Sequence, residues 1–477
     1  SAGSRPAAAG REPALLTMGA VEPPTETSPS TQRPPRPRRG DELELEISSL
    51  AQGGRGVART EGGFVIFVAG GLPGDRVRAR VGKSKKSHAE ATAIELLEAA
   101  PERIPDRCVH GSEPCPGSPW QGLPYELQLR HKEQQVAEAL ERLGGFEDIE
   151  LEPITEAVEQ WRYRNKLEYS FGPDRDARAG VALGFHARGR WDRTVDVDDC
   201  LLASEANNAA RNSVREWARD EVIPAYDPGT RVGVLRNLVV RDGRRTGQIQ
   251  TRLVTTPSSI PEPPTDLHTV IEGDRGSTNG PTGVLGDERL RERLCDLDLS
   301  VSHDAFLQTN TETAERLYGV AREYASLSGD ERLFDLFCGV GTIGLSMASD
   351  AGEVWGVESV ADAVTDAEAN AKANGVTNAR FRTADARLGI RPLVEEAGKP
   401  DVVVIDPPRA GLSQKIVRRV LECEARRIVY VSCNPTTLAP NARQMVDDGG
   451  YRLLRARPVD MFPQTPHIEC VALLEKR

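Results

Sequence analysis

The chain has 477 residues, of which 38% are hydrophobic, and this length predicts two or three domains with a large buried core in at least one of them. It contains neither an apolar run long enough to span a membrane nor a secretory signal pattern, so we expect a cytoplasmic protein. Its formal net charge of −11 excludes a protein that coats nucleic acid over its whole surface, and any nucleic-acid contact must come from local basic patches.

The start of the chain changes character at Asp41. Residues 1–40 are rich in Ala, Pro, Ser and Arg and lack an apolar period, which is typical of a disordered tail. Met18 is an alternative natural start, so residues 1–17 could lie outside the natural protein. From Asp41, short runs of alternating hydrophobic residues are separated by glycine turns, and this pattern predicts a small β-barrel over residues 41–99.

A basic run near the end of this predicted barrel contains no acidic residue. Unopposed positive charge on an oligonucleotide-sized barrel suits contact with phosphates. Ordinary surface solvation is an equally good interpretation, and both stay open. The stretch resembles the TRAM domain, an RNA-binding module. The basic residues are Arg76, Arg78, Arg80, Lys83, Lys85 and Lys86.

The middle of the chain, residues 100–300, mixes helix and strand patterns. An amphipathic helix is predicted near Tyr125 to Leu143, and strands are predicted around Leu167 to Phe185. A run rich in Pro, Gly, Ser and Thr, from Pro257 to Gly283, predicts a surface loop. We therefore expect a mixed α+β central region.

A strand, a glycine turn and a helix follow one another near residue 340. The short apolar strand Arg332–Phe337 runs into the turn Cys338–Thr342, and ligands bind at such a turn beyond the carboxyl end of a strand. The next strand ends in Glu358, where an acid can hold ribose hydroxyls, and a third ends at Asp385. Gly339, Gly341 and Gly344 are followed by no further feature that would bind a pyrophosphate, so the layout favours a class I methyltransferase sheet over a dinucleotide oxidoreductase.

Two further buried strands end in polar groups, Asp406 and Cys433, which predicts that these groups share one cleft with the glycine turn. A lone cysteine at a strand end is more often a small core residue. Addition of a thiolate to C6 of uracil, however, makes C5 nucleophilic toward a methyl sulfonium. The C5 proton must then be removed, and Glu469 at the entry of the last strand is a candidate base. Surface charge is the competing interpretation for Glu469 and for His467.

Five ordered stretches of the C-terminal part resemble the RNA 5-methyluridine methyltransferase family. An ordered set is far more specific than any one motif. Together with the TRAM-like start and the central region, the resemblance extends from about residue 41 to the end. The stretches are Ala305–Asn310 (AFLQTN), Asp335–Gly339 (DLFCG), Ile405–Arg409 (IDPPR), Val431–Pro435 (VSCNP) and Pro466–Glu469 (PHIE).

The resemblance implies an α/β fold with three parts. These are an N-terminal OB-like TRAM barrel that binds RNA (41–99), a mixed α+β RNA-recognition region (100–300) and a methyltransferase domain with a Rossmann-like class I sheet (301–477). It implies S-adenosylmethionine as methyl donor, Cys433 as nucleophile and Glu469 as general base. The family often has Asn where this chain has Thr342. The residues implied to surround the cofactor are Gln308, Phe337, Thr342, Glu358, Asp385 and Asp406, the last of which can also face the substrate ring.

Three cysteines match positions at which family members carry an iron-sulfur cluster. These are Cys108, Cys115 and Cys200, while Ser118 stands where the family has the fourth cysteine. Three thiolates leave one iron of a four-iron cluster without its usual ligand. Serine ligation, loss of the cluster and ordinary buried thiols stay open, and so does a zinc ion held by the three thiolates and His110. The eight cysteines are too scattered for a secreted disulfide framework, so we expect reduced thiols.

The resemblance favours methylation of uridine C5 in RNA. A TRAM-like barrel and cluster-like cysteines are more similar to the ribosomal members, which modify 23S rRNA, than to the shorter enzymes that act on the thymine loop of tRNA. An amino-group methyltransferase needs no cysteine and has an aromatic residue where this chain has Arg409. An RNA-binding protein with an inactive methyltransferase shell would lack Cys433 or Glu469. We expect a monomer that binds RNA and no membrane.

Overall fold

The computed structural model describes residues 36–110, 113–173, 180–187, 190–264, 267–272 and 281–477. The tail predicted for residues 1–40, with Met18, lies outside the described residues as far as residue 35. No helix within the described ranges combines the length and the apolar character needed to cross a bilayer.

The first body is a barrel-like sheet in which apolar and polar residues alternate. Alternation turns Leu45, Ile66 and Val77 toward a common core, because successive side chains of a strand point to opposite faces. The strands pair in the order β1-β5-β6-β4-β3-β2. They are β1 (Glu42–Glu46), β2 (Ser49–Leu50), β3 (Gly56–Arg59), β4 (Val65–Ala69), β5 (Arg76–Ser84) and β6 (His88–Glu98).

The arginines of β5 are opposed by acids, so the expectation of unopposed charge is wrong for them. Strand β1 pairs with β5 in antiparallel register, which brings Glu44 to Arg76 (2.7 Å) and Glu42 to Arg80 (2.8 Å). Arg78 forms an ion pair with Glu95 of β6. The acids are absent from the run in sequence but lie on the neighbouring strands.

The second body is a seven-stranded sheet with a helix on one face, in the order β12-β11-β10-β13-β14-β15-β16. A strand pair, a long helix and a two-residue strand precede it. These are β7 (Val109–His110), β8 (Glu113–Pro114), α1 (Tyr125–Arg142) and β9 (Glu150–Leu151). The sheet and its helix comprise β10 (Lys166–Pro173), β11 (Val181–His186), β12 (Thr194–Asp196), α2 (Glu205–Asp220), β13 (Leu235–Asp242), β14 (Ile249–Thr255), β15 (His268–Glu272) and β16 (Gly283–Leu285).

The surface loop predicted for Pro257 to Gly283 contains a strand, so this prediction is wrong in part. Strand β15 runs parallel to β14, and the buried hydroxyls of Thr251 and Thr269 share a hydrogen bond of 2.8 Å. The strand is short and its buried contact is polar, so its amino-acid composition does not predict a strand. Residues 265–266 and 273–280 of this run lie outside the described residues.

The third body contains an eight-stranded sheet in the order β21-β20-β19-β22-β23-β25-β24-β9. Strands β19 to β23 are parallel and β25 is antiparallel to its neighbours, which confirms the predicted class I methyltransferase sheet. Its elements are β17 (Leu290–Leu294), β18 (Leu297–Val301), α3 (Thr311–Ala325), β19 (Arg332–Leu336), α4 (Thr342–Met347), a short 3-10 turn (Ala348–Asp350), β20 (Glu353–Glu358), α5 (Ala361–Ala373), β21 (Ala379–Thr383), α6 (Ala386–Ala397), β22 (Val402–Ile405), α7 (Gln414–Glu422), β23 (Arg427–Ser432), α8 (Pro435–Gly449), β24 (Tyr451–Val459) and β25 (Glu469–Lys476).

The eighth strand of this sheet comes from far upstream. Strand β9 pairs in parallel with β24, with Leu151 opposite Ala456. Helix α1 also buries Val136 and Leu140 in the core on one face of the eight-stranded sheet. Residues 125–151, which the sequence pattern grouped with the central region, therefore pack as part of the third body.

Candidate functional site

The turn after β19 is held in a conformation that its sequence does not favour. Phe337 has φ 64°, and Gly339 and Gly341 have φ 54° and 85°. A positive φ is costly for a bulky residue and persists only when its surroundings fix it. The Phe337 amide donates to the carbonyl of Val357 (2.9 Å). A Cβ built on Gly339 would meet nothing within 4 Å, so the turn borders open space, and the buried Thr342 follows as the first residue of α4.

The carboxylate of Glu358 borders this turn, as predicted. Its Oε2 accepts from the Gly339 amide (3.2 Å), and its Oε1 accepts from the Val360 amide (3.0 Å). Asp385 lies farther out, exposed and two residues beyond the end of β21. There it caps α6 by accepting from the Arg387 amide (2.9 Å). The two acids lie at the same edge of the sheet, but only Glu358 contacts the glycine turn.

Asp335 belongs to the Asp335–Gly339 stretch, but its role was not predicted from the sequence. It is fully buried in β19, and its Oδ2 accepts from the Gly344 amide (2.8 Å). Burial raises the pKa of Asp335 to about 7. The side chain thus ties the strand to the helix that follows the glycine turn. An acidic residue in a largely apolar run is the sequence feature that could have indicated a role for Asp335.

Gln308 and Asp406 come together, although about a hundred residues separate them in sequence. The side chain of Gln308 forms a hydrogen bond with Asp406, while its backbone carbonyl accepts from Asn165 Nδ2 (2.9 Å). Burial, assisted by the charge of Asp335, raises the pKa of Asp406 to about 7. The pair brings a loop of the third body and a residue of the second body to the cleft.

Cys433 and Glu469 lie on adjacent antiparallel strands. Ser432 of β23 pairs with Cys470 of β25, so Cys433 and Glu469 stand one step beyond that pair. Cys433 is partly exposed and Glu469 is 3% exposed. Burial, together with the charges of Glu469 and Asp406, raises the pKa of Cys433 to about 11. Burial also raises the pKa of Glu469 well above its ordinary value, so the two groups share one desolvated environment.

Arg409 is a cation of this site, and from the sequence it was known only as the replacement of an aromatic residue. Its charge lowers the pKa of both Cys433 and Glu469, against the larger effect of burial. Asn434 Nδ2 donates to the Arg409 carbonyl (3.1 Å). His467 is close to the same cation, and burial lowers its pKa to about 4. His467 is therefore neutral at pH 7.

Side chains from other parts of the chain hold the segment that leads to Glu469. Gln128 of α1 donates to Gln464 Oε1 (2.9 Å) and accepts from the Gln464 amide (2.8 Å). The Tyr163 hydroxyl donates to the carbonyl of Pro463 (2.9 Å). Asn310 Nδ2 donates to the carbonyl of Met461 (3.0 Å). Residues 460–468 thus form a segment, here called the catalytic-strand loop, whose backbone is fixed from three directions.

The barrel touches the same loop. A Cβ built on Gly54 would lie 2.5 Å from Cβ of Pro466, so the β2–β3 turn is in direct contact with the loop. Trp120 Nε1 donates to the Gly54 carbonyl (3.4 Å), and the Trp120 amide donates to the Gln464 carbonyl (3.0 Å). The N-terminal barrel therefore contacts the loop that leads to Glu469.

The predicted metal ligands Cys108, Cys115 and Cys200 are buried, and all eight cysteines are free thiols. The buried hydroxyl of Ser118 has no hydrogen-bond partner of normal geometry among the described residues. The sulfurs of Cys108 and Cys115 lie within 4.8 Å of each other. A four-iron cluster takes one thiolate on each of its irons, so its ligands stand farther apart and a fourth thiolate is required. These residues do not fit that cluster.

The comparisons with known proteins agree with this geometry. Residues 287–477 match the family model "tRNA (Uracil-5-)-methyltransferase", and residues 36–94 match the TRAM domain. An uncharacterized RNA methyltransferase of Chlorobaculum tepidum is 37% identical, over 94% of this chain and 99% of the relative. One from Halalkalibacterium halodurans is 36% identical, over 92% and 97%.

Among solved structures, the chain is similar to a tRNA (uracil-54, C5)-methyltransferase of Pyrococcus abyssi in complex with S-adenosyl-L-homocysteine. The identity is 29% and the TM-score 0.72, over 91% of this chain and all of that one. The relatives match over nearly their full lengths, and the family model covers both the glycine turn and the strands that carry Cys433 and Glu469. The chain therefore carries a TRAM domain and belongs to the tRNA (uracil-5-)-methyltransferase family of RNA methyltransferases.

Proposed function

We propose that this protein transfers a methyl group from S-adenosylmethionine to C5 of a uridine in RNA through a covalent bond between Cys433 and C6. The observation that carries the proposal is the placement of Cys433, directly after β23, beside Glu469, the first residue of β25, at the edge of the sheet that also holds the glycine turn. Such an arrangement of a nucleophile and a base serves covalent catalysis.

The residues at the glycine turn fit the methyl donor. Space is open beside Gly339, Glu358 offers carboxylate oxygens for ribose hydroxyls, and Phe337, Thr342, Gln308 and Asp406 border the same cleft. When bound, S-adenosylmethionine supplies an electrophilic methyl group on a sulfonium. The complex of the Pyrococcus abyssi enzyme with S-adenosyl-L-homocysteine supports this assignment. Asp385, exposed at the rim, is the outermost of the proposed contacts.

The first step is the addition of Cys433 to the ring. The partly exposed thiol gives its proton to solvent and its sulfur forms a bond to C6, while the C5–C6 π electrons move toward O4 as an enolate. Arg409 favours the thiolate, because its charge lowers the pKa of Cys433. C5 then attacks the methyl group, and the C5–methyl bond forms as the sulfur–methyl bond breaks.

The second step restores the aromatic ring. Glu469 removes the proton from C5, the C6–sulfur bond breaks, and Cys433 leaves as a thiolate. A carboxylate whose pKa is raised by burial binds a proton more strongly than an exposed one, so it is a better base once ionised. His467, with its pKa lowered to about 4, is the weaker base of the two.

RNA is proposed to bind across the barrel (41–99) and the central region (100–300), with the chemistry in residues 301–477. We propose a uridine of 23S rRNA as the target, in keeping with the TRAM domain. A tRNA uridine is the second candidate, because the similar Pyrococcus abyssi protein acts on uracil-54 of tRNA. Mapping of 5-methyluridine in both RNAs from a strain that lacks the protein distinguishes the two targets.

The experiment that tests the mechanism uses RNA substituted with 5-fluorouridine. Fluorine cannot leave as a proton does, so the wild-type protein with cofactor is expected to form an adduct that survives denaturing electrophoresis. Cys433→Ala is expected to form none. Cys295→Ala, at another partly exposed cysteine, is the matched control and traps RNA like the wild type. Trapping by Cys433→Ala contradicts the proposed nucleophile.

A further inference from the structure

Three donor atoms converge at the short strand pair β7–β8. The sulfurs of Cys108 and Cys115 and an imidazole nitrogen of His110 all lie within 4.8 Å of one another. Cys108 Sγ is 3.3 Å from His110 Nε2. The pairing of Val109 with Pro114 brings the two flanking cysteines together. Both thiols are shielded from solvent, at 2% and 5% exposure.

A third buried thiol lies in a neighbouring turn of the second body. Cys200, in the turn before α2, is 2% exposed. A Cβ built on Gly117 would meet Leu202 Cδ1 at 3.6 Å and Cys115 Sγ at 3.8 Å, so the turn that carries Cys200 packs against Cys115. Cysteine binds a metal as the thiolate.

The spacing suits one ion. Zinc takes four S or N ligands at about 2.0–2.3 Å in a tetrahedron, which places neighbouring ligand atoms roughly 3.5–3.8 Å apart. The sulfurs of Cys108 and Cys115 and the nitrogen of His110, all within 4.8 Å of one another, need only a small contraction to reach this spacing. Cys200, which lies outside this group, would complete the tetrahedron by moving toward it. We propose that Cys108, His110, Cys115 and Cys200 hold a single zinc ion, in place of the iron-sulfur cluster that the family resemblance implies.

A closed set of three thiolates and one imidazole leaves no open position for a water molecule, so the ion is structural. It ties the β7–β8 pair to the turn before α2. Ser118, at the place of the missing cysteine, is not a ligand, since a neutral hydroxyl is a poor substitute for a thiolate on this soft donor set. The inference does not depend on the proposed methyl transfer.

The primary test is metal and sulfide analysis of the full chain purified without oxygen. About one zinc ion per chain without acid-labile sulfide is expected. Iron with acid-labile sulfide would overturn the proposal in favour of a cluster. Protein that contains neither metal and does not take up added Zn²⁺ would also overturn it and leave the cysteines as ordinary core thiols.

Variants of the histidine separate zinc from a cluster held by thiolates alone. His110→Ala is expected to weaken Zn²⁺ binding by more than ~100-fold. Loss of a side chain that only positions a ligand costs about 10- to 100-fold, and loss of the ligand itself should cost more. His110→Cys restores a fourth strong ligand and is expected to retain the ion, which distinguishes loss of a ligand from loss of folding. Cys295→Ser, outside the cluster, is the control. Unchanged zinc affinity of His110→Ala would remove the histidine from the site and overturn the proposal.

Discussion

The ammonium group of Lys132 and the carboxylate of Asp460 form an ion pair that is fully shielded from solvent. Lys132 Nζ lies 2.5 Å from Asp460 Oδ1, and neither side chain has exposed surface. The same ammonium donates to the carbonyl of Phe462 (3.0 Å). Helix α1 thereby fixes the start of the catalytic-strand loop by charge, nine residues before Glu469.

Loss of one partner is expected to cost more than loss of both. Lys132→Met leaves the carboxylate of Asp460 buried without a cation, which typically destabilises a protein by about 3–5 kcal/mol. The double variant Lys132→Met/Asp460→Asn removes the orphaned charge and is expected to recover most of that loss. Denaturant unfolding of the wild type, Lys132→Met, Asp460→Asn and the double variant measures the coupling. Equal stability of Lys132→Met and wild type would show that the pair contributes nothing.

The contact between Gly54 and Pro466 predicts a change in activity from a substitution in the barrel. Gly54→Ala forces a Cβ against Pro466 and displaces the loop that carries His467 and leads to Glu469. Misplacement of about 1 Å lowers turnover by roughly 100-fold. Gly63→Ala is the matched control, because Gly63 has φ 79°, close to the 83° of Gly54, and its Cβ would meet open space. If both variants lose the same activity, backbone strain and not the contact is the cause.

The raised pKa of Cys433 predicts slow alkylation at neutral pH. With a pKa of about 11, the thiol is almost wholly protonated at pH 7 and its thiolate fraction rises about tenfold for each pH unit up to the pKa. Iodoacetamide labelling of the free protein, followed by peptide mass spectrometry, should therefore accelerate about tenfold from pH 7 to 8 and again from 8 to 9. A rate at Cys433 that is already at its plateau at pH 7 would contradict this environment.

Glu469→Gln keeps the shape of the side chain and removes its basicity. The variant should bind RNA, add Cys433 and transfer the methyl group, but release should slow by about 100- to 10,000-fold. Mass spectrometry with unmodified uridine RNA should detect a methylated covalent adduct. His467→Asn, which alters the weaker base, is the control and should turn over within about tenfold of the wild type. Normal turnover by Glu469→Gln would assign the proton to another group.

Local patterns were enough to predict the part of the site that lies at strand ends. Asp406 and Cys433 each follow an apolar run, and parallel strands present their carboxyl ends at one edge of a sheet. The glycine turn and Glu358 followed from the same rule. The motif resemblance added Glu469, whose partner across the sheet is set by an antiparallel register that periodicity does not reveal.

Long-range pairing was the part that the sequence could not reveal. The acids opposite Arg76 and Arg80 lie on another strand, and Lys132 is 328 residues from Asp460. Neither relationship leaves a trace in local composition. Strand β15 was missed for a different reason, because its inward contact is made by threonine hydroxyls and its neighbourhood is rich in turn-forming residues.

Because β9 and α1 pack with the eight-stranded sheet of the third body, the order of synthesis affects how the protein folds. The ribosome adds Lys132 long before Asp460, because the two residues are 328 positions apart in sequence and synthesis adds about 5–20 residues per second. For tens of seconds the apolar face of α1 has no partner, and such exposed surface is where nascent chains aggregate or recruit chaperones. The catalytic body can close only after translation reaches β24. A stop codon shortly before the end of the coding sequence therefore leaves α1 without the strands against which it packs.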